Sequence, residues 1–143
     1  MSELLQLTFW ATFLSAAVRT AIPILCASIG EDISEKAGII NVGLEAVMLV
    51  GAFFGFAAAY LTHSLFWGFV VGMLAGMLLS LLHAFLSVYL KQDQNVAGVA
   101  LNLLATGLTS YIFQLMVNRY GIPQIETLKS VPIPLLSKIP LIG

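Results

Sequence analysis

Apolar positions fill this chain in four long blocks, and the polar positions fall in short groups between and within them. A helix needs about 20 apolar residues to cross a bilayer. Each block is long enough, so the pattern predicts spans at roughly residues 7–29, 38–61, 65–90 and 96–117. Helices are expected because lipid offers no partners for free backbone groups. The fold class is therefore an all-α, polytopic membrane helical bundle. Residues 1–117 form the transmembrane region, and 118–143 form a Pro-rich apolar loop. That segment holds four of the five prolines, Pro123, Pro132, Pro134 and Pro140, and this spacing forbids a regular helix. It ends in Leu141-Ile142-Gly143 without a polar terminus, an ending expected of a truncated chain or fragment.

The polar residues inside the blocks carry the candidate chemistry. In the first span Thr8, Thr12, Ser15 and Arg19 fall on one stripe, and Pro23 predicts a kink or break. Arg19 has two readings, snorkelling to an interface or pairing with an acid. The EDISEK run, residues 31–36, reads as a solvated loop. The second span opens with Gly38, Asn41, Gly43 and Glu45, a start that marks a broken, re-entrant or locally unwound helix. Irregular backbone at such a depth is tolerated only against protein or a water-filled cavity. A carboxylate well inside an apolar block is costly in lipid, so Glu45 requires a reason. Gly51 and Gly55, continued by Ala59, and the row Gly68, Gly72, Gly76, Ser80 and Ala84 are small residues at every fourth position, which predicts close helix packing. His83 reads as a hydrogen-bonded packing residue, with a proton relay as the other option. The fourth span carries Asn102, Thr106, Thr109, Ser110 and Gln114 on an arc of roughly 140°. Such an arc either bonds neighbouring helices or lines a passage.

Composition sharpens this picture. The chain has 143 residues, 59% hydrophobic and 9% charged, against about 25% charged in a soluble domain. Residues 46–90 contain no Asp, Glu, Lys or Arg. The net charge of −1 gives no basic surface for nucleic acid. Cys26 is the only cysteine, which excludes an internal disulfide. Residues 1–8 lack the basic start of a cleaved signal peptide. Cation placement does not orient the spans: Lys36 and Lys91 fall on one side, Arg119, Lys129 and Lys138 on the other. Trp10, Tyr60, Trp67 and Tyr120 would share one interface.

No Walker lysine motif, HExxH or Cys/His metal cluster is visible, so neither an enzyme nor a metal or cofactor site is expected. If the first two spans form an antiparallel hairpin, Arg19 and Glu45 lie at similar depth and are candidates for a structural ion pair. Asn41, Glu45, Asn102 and Thr106 are the candidates for contact with a transported solute. The same residues have a plainer role available, holding helices together.

These residues also carry a resemblance. Residues 35–51 resemble the early signature of ABC-importer permeases of the ribose, nucleoside and branched-chain amino-acid class, of the form ER-x-G-x-x-N-x-G-x-E-G-x-M-x-x-G. Glu35, Gly38, Asn41, Gly43, Glu45, Met48 and Gly51 stand at those places, with Lys36 where Arg is usual and Ala46 where Gly is usual. Residues 94–113 look like a second family block, and IPLLSKIPLIG is similar to an external loop preceding further spans. The resemblance implies a simple-sugar or nucleoside permease, amino-terminal half only, in the bacterial inner membrane. Its partners would be an ATP-binding cassette subunit, which uses the ATP, a second permease subunit and an extracytoplasmic solute-binding (lipo)protein. It also implies an external amino terminus, an internal Lys91 loop, and a cytoplasmic coupling helix in a second half not contained here. The competing reading is a self-contained four-helix membrane protein, either a small oligomeric proton-coupled exporter using Glu45 or an assembly protein.

Overall fold

The computed structural model describes residues 7–121, and the Pro-rich segment expected at 118–143 lies almost wholly outside them. The described residues form four helices and no strand. They are α1 (Leu7–Lys36), α2 (Leu44–Thr62), α3 (Leu65–Ala84) and α4 (Gln94–Tyr120), with a π-helical turn, Phe85–Tyr89, continuing α3. All four are long and apolar enough to cross a membrane. At about 1.5 Å per residue, the 19 residues of α2 span roughly 28 Å, close to the hydrocarbon thickness of about 30 Å. The chain divides into two units: residues 7–29 lie in the first and residues 30–121 in the second.

Of the kink or break expected at Pro23, the break is absent: α1 runs through it as one helix, because a missing N–H removes only one rung of the ladder. α1 departs from expectation in continuing through the EDISEK run, which is helix and not loop. Lys36 donates to Asp32 at 2.7 Å across one turn. The helix then stops on Gly38, at φ +84. The Gly38 N–H donates to the Glu35 carbonyl at 2.9 Å and the Ile39 N–H to the Ser34 carbonyl at 3.0 Å. These two bonds form a Schellman motif, which needs a left-handed residue at this position and therefore favours glycine.

Residues 37–43 are not helical, so the second span starts as helix only at Leu44. α2 ends on His63, at φ 52, and two residues later α3 begins. The tight connection makes α2 and α3 an antiparallel hairpin, and their glycine rows meet. A Cβ on Gly68 would lie 2.7 Å from the Ala59 Cβ and 2.8 Å from the Gly55 carbonyl oxygen. One on Gly72 would lie 2.8 Å from the Gly51 carbonyl oxygen, and one on Gly76 would sit 3.5 Å from Val47. Backbone thus touches backbone along the hairpin, which replaces the hydrophobic driving force that lipid does not supply.

α4 starts on Asp93, whose Oδ1 accepts from the Asn95 and Val96 N–H groups at 2.8 and 3.2 Å, and stops before Gly121, at φ 78. Its Leu101 and Ala105 pack on Ala46 and Val50 of α2, with Phe54, Ala75, Leu79 and Leu86 around them. Outside this small core most large apolar side chains face outward, Phe66, Phe69 and Leu103 among them. Such a surface suits lipid. At one end of the unit the Tyr60 and Tyr120 rings lie 6.2 Å apart.

Candidate functional site

The seven non-helical residues 37–43 leave backbone groups without helical partners. Side chains from two helices, α1 and α4, satisfy several of them. The Ile40 N–H donates to Gln94 Oε1 of α4 at 2.7 Å. The Asn41 N–H donates to Glu31 Oε1, near the end of α1, at 2.6 Å. Asn102 of α4 bridges the start of α2: its Oδ1 accepts from the Ala46 N–H at 2.9 Å, and its Nδ2 donates to the Val42 carbonyl at 3.1 Å. Ala46 lies in the first turn of α2, where N–H groups have no intrahelical partner. Asn102 therefore caps α2 from another helix, in place of the side-chain cap that Gly43 cannot provide.

Gly98 allows α4 to come this close. A Cβ there would lie 2.7 Å from the Gly43 nitrogen and 2.8 Å from the Val42 Cβ. Gly98 and Gly43 are both buried where α4 crosses the non-helical stretch. Two further oxygens in this cluster, Glu31 Oε2 and Asn41 Oδ1, are buried without a hydrogen-bond partner.

Glu45 is not deep in a helix. It occupies the first turn of α2, is exposed within its unit, and forms no hydrogen bond with described residues. A carboxylate there meets the positive end of the helix dipole. Arg19 belongs to the first unit and Glu45 to the second, so their pairing stays a proposal. Thr106 donates to the Asn102 carbonyl at 2.8 Å, and buried Thr109 donates to the Ala105 carbonyl at 2.6 Å. His83, 1% exposed, has Nε2 3.4 Å from Ser87 Oγ, and its Nδ1 is buried without a partner. Among the described residues no group of three His, Cys, Asp or Glu comes together to hold a metal.

The structure thus brings Asn41, Asn102 and the start of α2 together. It adds Glu31, Gln94 and Gly98, which sequence reasoning did not single out. The signal for Glu31 was present: the Asp32/Lys36 spacing and Gly38 mark a helix end. Gln94 and Gly98 lie 49 or more residues beyond Asn41 and Glu45, and no local pattern links them.

Four helices long and apolar enough to cross a membrane, with the connection before α2 clamped by side chains of α1 and α4, define a polytopic helical membrane protein. Comparison with known sequences identifies the family. Residues 13–137 match the family described as branched-chain amino acid transport system / permease component, and the chain belongs to it. It is 33% identical over 153 aligned positions to the guanosine ABC transporter permease protein NupQ of Bacillus subtilis, covering 99% of this chain and 45% of that protein. It is 39% identical over 127 positions to the nucleoside ABC transporter permease protein NupC of Lactococcus lactis subsp. cremoris, covering 85% of this chain and 40% of the relative. It is 47% identical over 105 positions to a protein of Haloferax volcanii provisionally named a glucose ABC transporter permease, covering 73% of this chain and 32% of the relative. The chain spans less than half the length of each. No solved structure matches it.

Proposed function

We propose that this chain forms part of the membrane pathway of an ATP-driven importer that moves a nucleoside or simple sugar across a bacterial inner membrane. In this reading it is a transport component and not an ATPase. ATP hydrolysis belongs to a separate ATP-binding cassette subunit. A second permease subunit completes the pathway, and an extracytoplasmic solute-binding (lipo)protein delivers the solute. The chain binds no cofactor of its own. The observation that carries the reading is the family match over residues 13–137, joined by relatives named for guanosine, nucleoside and glucose permeases.

The geometry gives this reading a physical role for the clamp. A pathway for polar solutes needs polar groups along it, and the interruption between α1 and α2 supplies them. The interruption must be held open, because residues 37–43 would otherwise wind onto α2 to pair their own N–H groups. Glu31, Gln94 and Asn102 remove that incentive by satisfying the backbone from outside. Asn41, Glu45 and Asn102 then stand at or beside the start of α2, with Thr106 one turn farther along α4, where a passing solute would meet them.

The test is uptake of labelled guanosine, uridine and glucose by cells lacking their own nucleoside and sugar importers. The cells would express the permease with its ATP-binding and solute-binding partners. Accumulation that requires ATP and is lost with Asn102→Leu is expected. Efflux driven by a proton gradient, without any ATP-binding partner, would sink the importer reading.

A further inference from the structure

We propose that the groove between α2 and α4 borders the solute path and receives a nucleoside, its base against phenyl rings and its ribose toward the polar stripe of α4. The proposal deepens the importer reading and rests on it. The groove has a volume of about 510 Å³ and is lined by Phe53, Phe56, Phe113, Leu49, Thr109 and Ser110. This lies within the roughly 300–1,000 Å³ of small-molecule sites. Phe56 of α2 and Phe113 of α4 have ring centroids 6.3 Å apart and planes tilted by 57°, so the two helices offer aromatic faces at one level.

A second observation places polar groups on the same side. Thr106, Ser110 and Gln114 recur every fourth residue of α4, and all three are exposed. Thr106 donates to its own helix, but Ser110 and Gln114 form no hydrogen bond with described residues. A bare hydroxyl and amide facing lipid is unfavourable, so this stripe calls for polar company. The groove bounded by α2, α3 and α4 on the other side makes the contrast. It has about 450 Å³ and is lined by Leu74, Leu78, Leu82, Leu104 and Leu108 among other apolar side chains. That surface suits lipid or an apolar helix.

The lining selects the occupant by chemistry. Among the described residues no charged side chain borders the aromatic groove, so the ammonium and carboxylate of an amino acid find no partner among them. A simple sugar would satisfy the hydroxyl side and could lay its C–H face on one ring, leaving the other two of the three phenyl rings unused. A neutral solute with a planar base and a ribose uses both, since aromatic side chains stack any base face.

The test is cysteine accessibility in membrane vesicles bearing the chain with its partner subunits and Cys26→Ser. Ser110→Cys is expected to react with a charged methanethiosulfonate reagent. Guanosine at about four times its Kd is expected to slow that reaction about fivefold, while glucose and leucine at equal concentration leave it unchanged. Adding Phe113→Leu is expected to keep the labelling, which reports a folded helix, and to abolish the protection. An unreactive Ser110→Cys would mean that lipid or another helix covers the face, and would overturn the proposal. So would labelling that guanosine does not slow, protection by glucose or leucine as strong as by guanosine, or protection that survives Phe113→Leu. Uptake by the complete transporter separates the two levels: guanosine uptake without protection removes the groove and leaves the importer, glucose uptake without guanosine uptake removes the nucleoside proposal alone, and absent uptake of guanosine, uridine and glucose removes the importer reading itself.

Discussion

Asn102 engages both ends of its amide with residues 42 and 46, so no smaller or apolar side chain replaces it. Asn102→Leu leaves the Ala46 N–H and the Val42 carbonyl unpaired and is expected to cost about 1–3 kcal/mol, read as a lower unfolding midpoint of the detergent-solubilised chain. Glu31 gives a finer test. Glu31→Gln keeps an Oε1 acceptor for the Asn41 N–H and should stay within about 0.5 kcal/mol of the parent. Glu31→Ala should resemble Asn102→Leu. Equal effects of the two Glu31 variants would show that its bond to Asn41 does not matter. Arg19 and Glu45 are tested by a double-mutant cycle with Arg19→Gln and Glu45→Gln. A structural pair predicts a double variant less damaged in uptake and stability than the two single effects combined; simple additivity would dismiss it.

The α2–α3 hairpin is graded along its glycine rows. On Gly68 and Gly72 an added Cβ would meet backbone or Ala59 at 2.7–2.8 Å, and neither neighbour is a flexible side-chain end that can swing away. Gly68→Ala and Gly72→Ala are therefore expected to destabilise by about 1–3 kcal/mol. Gly51→Ala, 3.3 Å from the Gly72 carbonyl oxygen, and Gly76→Ala, 3.5 Å from Val47, should be progressively milder. Gly107 of α4 has nothing within 4 Å of such a Cβ, so Gly107→Ala should be neutral, or stabilising by up to about 1 kcal/mol through helix propensity. Unfolding midpoints of the five variants check the order, and a flat series would mean that the rows do not hold the hairpin. The rows were legible in the sequence because a small residue every fourth position makes a ridge on one helix face. Their mutual register was not, because it depends on how the short connection at His63 and Ser64 turns the chain.

Across the second unit, the connection before α2 and the one before α4 come together, as the bond between Ile40 and Gln94 shows. The opposite end is marked by the α2–α3 connection at His63. In sealed vesicles, with Cys26→Ser, cysteines at Lys36 and Lys91 should therefore react with an impermeant reagent from the same side, and His63→Cys from the other. The resemblance assigns the first side to the cytoplasm. Labelling of the Lys36 and Lys91 positions from opposite sides would contradict the hairpin topology. The outward-facing Phe66, Phe69 and Leu103 belong to this scale too, since they become reasonable only when lipid surrounds the unit.

By itself the sequence determined that this chain crosses a membrane as four helices, because the uncharged stretch at 46–90 and the apolar blocks beside it leave no other low-energy state for the backbone. It also determined the family, since Asn41, Gly43, Glu45 and Gly51 hold a fixed spacing within one short segment. Tertiary structure alone decided what those residues do locally. Glu45 reads in sequence as a carboxylate deep within a span, yet it sits in the first turn of a helix whose start is delayed to Leu44. That delay is held in place by Glu31, Gln94 and Asn102, of which the two from α4 lie more than 45 residues from Glu45. Periodicity reports which face of a helix is apolar; it carries no information about which distant side chain will meet an unpaired backbone group.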